Sequence, residues 1–392
     1  MTKTIMIGCD LHDRWMLVRF AIEDSEPQQK SFRNDREGRL KMVRFFWEFA
    51  RKHQAPKIVF VYEASGQGYG LCDLLDGQGI ECHVLSPTLL PTTPKSRKQK
   101  TDAKDAQMLL EQLRGHVLAG NPLPVVWTPP QRLRDDRELV RRRIDAADDS
   151  TRVKLQIFAM LKRRGIEKPD WYSTWSKRFL CWLRDVARGL DEVVTPVLET
   201  LVDRYEMYRD EMRKLERHIQ KLAKAPRYAK AYRELCKLPG VGLLTAMTFL
   251  TEMGDLTRFD NRRQVAAYMG LCPASFESGE TNNRKGRITR QGPSRLRWML
   301  CQAAWISLGR DDEALAAYVR IKGGKSQRNK KAIVALMRRL GIKMWHRALA
   351  MGVSSELDGR GGPNNMRTSA RAQQRGAVPF DSPSLRPLAS TR

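Results

Sequence analysis

Short apolar runs and helix-period segments alternate along the first third of the chain. Residues 3 to 9 (KTIMIGC) form one apolar run, residues 15 to 22 a second strand, and residues 29 to 32 a weaker third after the polar turn at 23 to 27. A helix is predicted over 36 to 51, where Leu40, Val43, Phe46 and Phe49 recur at helical spacing. Residues 57 to 62 (KIVFVY) are apolar almost without interruption, as in a strand buried on both faces. A helix from about 68 to 77, a strand from about 81 to 86, a Pro/Lys/Arg-rich loop over 87 to 100 and a helix from 102 to about 113 follow.

The order β-β-β-α-β-α-β-α is that of an RNase H-like domain, so the expected fold class is α/β followed by α. Beyond it the pattern changes. Leu198, Leu201, Tyr205, Tyr208, Met212, Leu215, Ile219 and Leu222 are spaced 3, 4, 3, 4, 3, 4 and 3, a heptad seam predicting a coiled-coil helix. An earlier helix over 131 to 164, carrying Val140, Ile144, Ala147, Phe158 and Leu161, packs against it or against another subunit. Trp171, Trp175 and Trp182 between them are expected to fill a helical core. The segment 225 to 351 reads as mostly helical, and 354 to 392, rich in Gly, Pro, Ser and Arg without apolar period, reads as disordered. The expected divisions are 1–129, 130–224, 225–351 and a basic tail over 352–392.

Charge narrows the function. The 392 residues hold 71 Lys and Arg against 44 Asp and Glu, a net +27 that calls for a polyanionic partner. Basic residues recur throughout rather than on one amphipathic helix, which favours nucleic acid over a membrane face. Apolar stretches such as 332 to 337 fall far short of the roughly 20 residues that cross a bilayer. The first ten residues lack a signal-peptide layout, so a soluble, cytoplasmic protein is expected. The seven cysteines are scattered and never spaced CxxC, which argues against a disulfide framework or a zinc site.

Four acids stand where a metal site would need them. Asp10 closes the first strand and Glu63 the apolar strand 57 to 62, and these strands are neighbours in an RNase H-like sheet. Asp102 and Asp105 lie at i and i+3 in the first turn of a helix, with Thr101 a ready N-cap. Carboxylates so gathered repel unless a cation neutralises them, and hard oxygen donors suit Mg²⁺, with Mn²⁺ as the alternative. Singly, each fits a solvated strand end or a dipole-favoured helix start; jointly, they fit a metal centre for phosphoryl transfer. Asp13 and His12 sit beside Asp10, but nothing in the spacing recruits them.

Near the other end, Leu238-Pro239-Gly240-Val241-Gly242 reads as the turn of a helix-hairpin-helix, with Gly240 and Gly242 letting backbone amides approach a phosphate, or as a plain helix-helix turn. Ser275 and Ser278 lie on a Gly-flanked loop that leads into Arg284, Lys285, Arg287, Arg290, Arg295 and Arg297, with no acid between Arg284 and Arg297. A serine among such cations suits attack on a phosphodiester, and the run alone suits backbone binding.

Together these sets resemble the IS110 type of DEDD transposases, insertion-sequence recombinases guided by a bridge RNA, over residues 3 to 320. The motifs are Ile7-Gly8-Cys9-Asp10, Tyr62-Glu63-Ala64-Ser65, Thr101-Asp102-Ala103-Lys104-Asp105-Ala106, the Leu238 to Gly242 turn, Gly270-Leu271-Cys272-Pro273, Ser278-Gly279 and Gly286-Arg287-Ile288-Thr289-Arg290-Gln291-Gly292, followed by Leu296-Arg297. The resemblance implies a RuvC-like domain, a coiled-coil insertion and a transposase domain bearing a serine nucleophile. Matched residue by residue, the DEDD carboxylates are Asp10, Glu63, Asp102 and Asp105, and the serine is Ser278 rather than Ser275, which lacks the following glycine. It further implies a phosphoserine intermediate, Mg²⁺ at the tetrad, donor and target DNA, a non-coding guide RNA, and a dimer or tetramer whose subunits share each site. A RuvC-like structure-specific nuclease using metal-activated water, and a non-catalytic nucleic-acid-binding protein, are the alternatives.

Overall fold

A computed structural model describes residues 3–91, 101–170, 173–278 and 281–352, with backbone alone at 275–278 and 281–285. Trp171, Gly279 and the tail over 354 to 392 lie outside the described residues. The described chain divides into two compact units that meet in sequence at Thr128 and Pro129.

The first unit is built on a five-stranded sheet of order β3-β2-β1-β4-β5. β1 (Thr4–Leu11), β2 (Trp15–Ile22) and β3 (Gln28–Arg33) form an antiparallel meander, while β4 (Lys57–Glu63) and β5 (Glu81–Leu85) add in parallel on the other side of β1. Because β1 and β4 are central, both of their faces must be apolar, which is why they read as continuous runs. The period of two sorts their residues. Ile5, Ile7, Cys9, Phe60 and Tyr62 face α1 (Arg36–His53) and α2 (Gly70–Gly77). Met6, Val59 and Val61 face α3 (Asp102–Ala119) through Leu109, Leu110 and Leu113. Strand order and flanking helices are those of the RNase H-like, RuvC-like class.

The second unit is helical apart from one hairpin. α4 (Gln131–Arg163) and α6 (Thr195–Ala223) run antiparallel: Val153, Ile157 and Met160 pack on Leu198, Val202 and Tyr205 near one end, and Arg142 meets Glu211 and Arg143 meets Glu216 further along. The heptad residues Leu198, Tyr205 and Ile219 are buried within this chain. α5 (Lys177–Arg188) closes the core with Phe179, Leu180 and Leu183, and Trp175 and Trp182 pack against it as expected.

α7 (Pro226–Leu235), α8 (Leu243–Met253), α9 (Arg262–Tyr268), α10 (Ser294–Ser307), α11 (Asp312–Lys322) and α12 (Asn329–Ala350) complete the unit. The first two of these helices are tied to α4 by buried ion pairs. Asp136 of α4 takes a two-point ion pair from Arg227 at 2.7 and 2.9 Å and a hydrogen bond from Tyr228 at 2.9 Å. Glu252 of α8, 2% exposed, takes the same two-point pair from Arg141 at 2.7 and 2.8 Å. Buried carboxylates are tolerated when so fully engaged.

The hairpin departs from the sequence expectation of a loop. β6 (Pro273–Ser278) and β7 (Thr281–Ile288) pair antiparallel, with register irregularities between Pro273 and Ser275 and between Phe276 and Ser278. The polar string TNNRKGR lacks the apolar alternation that announces a half-buried strand; its backbone pairing with β6 supplies the order instead.

Candidate active site

Asp10 sits two residues after Gly8 at the carboxyl end of β1. In the parallel register Cys9 lies opposite Tyr62, and Asp10 and Glu63 follow immediately after that last paired position on each strand. By strand alternation both belong to the α3 face with Met6, Val59 and Val61. Gly8 decides how near α3 comes: a Cβ there would fall 2.4 Å from the Leu110 nitrogen and 2.5 Å from the Ala106 oxygen. Lacking that atom, β1 lets the helix backbone rest on it, which carries the first turn of α3 to the strand end. Thr101 caps that turn, its hydroxyl accepting from the Lys104 amide at 3.4 Å.

The result is a cluster. His12 Nε2 stands 3.0 Å from Asp10 Oδ2 and 3.4 Å from Asp102 Oδ2, and one donor atom of each residue lies within 4.8 Å of the others. Asp105 is close enough to act on Asp10 electrostatically, and Glu63 is half-buried at its strand end. Burial raises the Asp10 carboxyl above its ordinary value; His12 opposes this, and Asp102 and Asp105 add to it. Partly desolvated oxygens of like sign are the donor set that a divalent cation relieves. The residues therefore fit the metal expected at this site.

His12 is the member that sequence reasoning left out. It stands in the turn between β1 and β2, where its amide donates to the Trp15 carbonyl at 2.9 Å and its carbonyl accepts from Asn34 Nδ2 at 2.6 Å. A turn residue two positions past Asp10 has no periodic signal; the fold alone sends its ring back. Beside it a cleft of about 760 Å³ is lined by His12, Asp13, Arg14, Trp15, Ser65 and Gln67, with Gln67 donating to Asp13. Trp15 is 54% exposed there.

In the second unit, Ser278 ends β6, its backbone opposite Thr281 at the hairpin tip. The side chains of Ser275, Ser278, Arg284 and Lys285 lie outside the described residues. Arg287 and Arg290 are exposed. Arg295 and Arg297, expected to hold nucleic acid, are engaged inside the unit. Arg295 grips Asp145 at 2.7 and 2.9 Å. Arg297 donates to the Gly292 and Met269 carbonyls at 2.9 and 3.3 Å, fastening the base of the hairpin, where the Thr289 amide bonds the Cys272 carbonyl.

The turn between α7 and α8 divides its glycines. Gly240 has φ +82° and packs on α10 so tightly that a Cβ would sit 2.3 Å from the Ala303 oxygen. Gly242 starts α8 without a side-chain cap and with open space around it. A basic surface unforeseen from the sequence lies nearby. Residues 320 to 347 hold ten Lys and Arg and no Asp or Glu. From that stretch Arg339, Lys343, His346 and Arg347 line a cavity of about 460 Å³ with Arg262 and the Leu238-Pro239 turn, together with Asp311 and Glu313. Its signal was present as the absence of acids on α12.

Comparison with known proteins falls on both units. The DEDD transposase (IS110) family pattern matches residues 7–165, and that of the Transposase IS116/IS110/IS902 family matches residues 232–320. The y4qE protein of Sinorhizobium fredii is 34% identical over 255 residues, which are 63% of this chain and 58% of that relative's length. The transposase for insertion sequence element IS1533 of Leptospira borgpetersenii is 23% identical over 306 residues, 78% of this chain and 86% of its own. The pilin gene-inverting protein of Moraxella bovis is 24% identical over 348 residues, 87% and 94% of the two chains. With one pattern on the acidic cluster and the other on the hairpin and its flanking helices, the chain belongs to the IS110-type DEDD transposases, a family of DNA-recombining enzymes.

Proposed function

We propose that this chain cleaves and rejoins DNA strands through a phosphoserine intermediate, with the Asp10, Glu63, Asp102 and Asp105 centre assisting. The convergence of Asp10 with the first turn of α3 carries the reading. Ser278 Oγ attacks the scissile phosphorus; the Oγ–P bond forms as the bond to the 3′ oxygen breaks, and that oxygen leaves protonated as a free 3′ hydroxyl. Attack by the 3′ hydroxyl of a second strand reverses the step and restores the serine. The link conserves the bond energy, so rejoining needs no nucleotide cofactor. A divalent cation at the carboxylates, Mg²⁺ or Mn²⁺, supplies Lewis acidity toward the phosphoryl oxygens. Arg297 holds the hairpin base that carries Ser278, and exposed Arg287 and Arg290, with Arg262 and Lys343, hold phosphates by charge.

The same proposal includes a bridge RNA that selects donor and target DNA by pairing, and a dimer or tetramer in which serine and tetrad from different subunits complete one site. The family resemblance supports both. The test is trapping on a nicked DNA substrate. Wild-type protein gives a denaturant-resistant adduct at a 5′ phosphate, and Ser278→Ala gives none. Cleavage unaffected by Ser278→Ala, with no adduct, would establish attack by water and overturn the serine route. Sequencing of co-purified RNA tests the guide: a structured RNA from the flank of the element is expected, and random RNA contradicts it.

A further inference from the structure

We propose that His12 Nε2 is a direct ligand of the divalent cation held by Asp10 and Asp102, which gives the centre a nitrogen donor beside its carboxylates. This rests on the DEDD centre described above and adds a residue outside the tetrad. The geometry carries it. Adjacent ligands of an octahedral ion at about 2.1 Å lie about 3.0 Å from one another. The imidazole nitrogen stands 3.0 Å from the Asp10 oxygen and 3.4 Å from the Asp102 oxygen, so it faces the space between the two carboxylates. A histidine serving Asp10 alone would have no need to approach Asp102 as well.

The ring is also delivered by a fixed backbone. The His12 amide and carbonyl are both bonded, to Trp15 and Asn34, and Asn34 Oδ1 in turn accepts from Arg39 Nε at 2.7 Å. Three elements thus hold the turn: β1 before it, β2 after it, and α1 through Arg39. Nearby Asp13 is occupied by Gln67 and lines the cleft instead. The consequence is metal preference. An all-oxygen tetrad suits Mg²⁺, whereas an imidazole nitrogen matches Mg²⁺ poorly and shifts preference toward first-row transition ions, of which Mn²⁺ is the one that also suits carboxylates.

Manganese is the probe. Pulsed electron paramagnetic resonance of the full chain loaded with Mn²⁺ should show coupling to a histidine nitrogen, which converts to the ¹⁵N pattern in protein labelled at its six histidines. In His12→Gln the coupling should vanish and Mn²⁺ affinity fall by about 10- to 100-fold, with a smaller loss for Mg²⁺. Asp10→Asn should abolish binding of both ions. Bound Mn²⁺ that Asp10→Asn releases but that shows no histidine coupling would overturn the ligand and leave the centre standing. So would coupling that survives in His12→Gln. Failure of the wild-type chain to bind Mn²⁺ would overturn ligand and centre together.

Discussion

Asp10 holds its carboxyl above the ordinary range because burial and then the charges of Asp102 and Asp105 disfavour ionisation, against the pull of His12. With the folded value raised, protonated Asp10 favours the folded state, so the metal-free chain loses stability as pH rises through that value. Cation binding requires the ionised form, so affinity falls on acidification from a higher pH than a free carboxylate would dictate. Calorimetric titration with Mn²⁺ across a pH series checks this, and a decline confined to the range of an ordinary aspartate contradicts it. Gly8 belongs to the same scale: Gly8→Ala should cost about 1–3 kcal/mol of stability by denaturant unfolding and lower strand cleavage more than stability, since α3 must back away. The approach of Asp10 to Asp102 was legible because a strand end and a capped first helical turn have fixed directions. His12 was not, since a turn residue takes its direction from Trp15 and Asn34, which only folding brings to it.

At the scale of elements, α4 is the spine of the second unit, and two buried carboxylates tie other helices to it. Asp136 receives Arg227 and Tyr228 of α7, and Glu252 of α8 receives Arg141. Desolvation and the neighbouring Asp136 push the Tyr228 hydroxyl well up, so it remains a donor to that carboxylate. Glu252→Ala would take from half-exposed Arg141 its carboxylate partner, while Arg137 keeps the Thr251 and residue 252 carbonyls, and should destabilise the chain by about 1–3 kcal/mol in chemical unfolding. An effect within experimental error would show the pair to be dispensable. The heptad seam was legible in its spacing, and its partner within the chain is α4, which the sequence left open. The β6–β7 hairpin was hidden because its strands are polar and gain order from pairing with each other and from the clamp of Arg297 at their base.

For the whole molecule, charge is distributed by role. Arg295 and Arg297 lie in a basic run and are engaged within the unit, while the acid-free segment from residue 320 to 347, which begins where the second family pattern ends, brings Lys343 to a cavity it shares with Arg262. Replacing Arg262 and Lys343 by alanine should weaken DNA binding uniformly across sequences and reduce the salt slope by about one for each phosphate no longer neutralised. An unchanged slope would mean that this surface does not meet DNA. No described helix is long and apolar enough to cross a membrane. The net +27 was plain in the composition, but which cations are free for a partner is known only once the intramolecular pairs are seen. Everything chemical depends on acids far apart in the chain meeting around one cation. Anomalous diffraction from Mn²⁺-soaked crystals tests this most directly: a peak bounded by the Asp10 and Asp102 carboxylates, with Glu63 and Asp105 at its margin, is expected. Cleavage-competent protein whose manganese peak lies away from those carboxylates would contradict it.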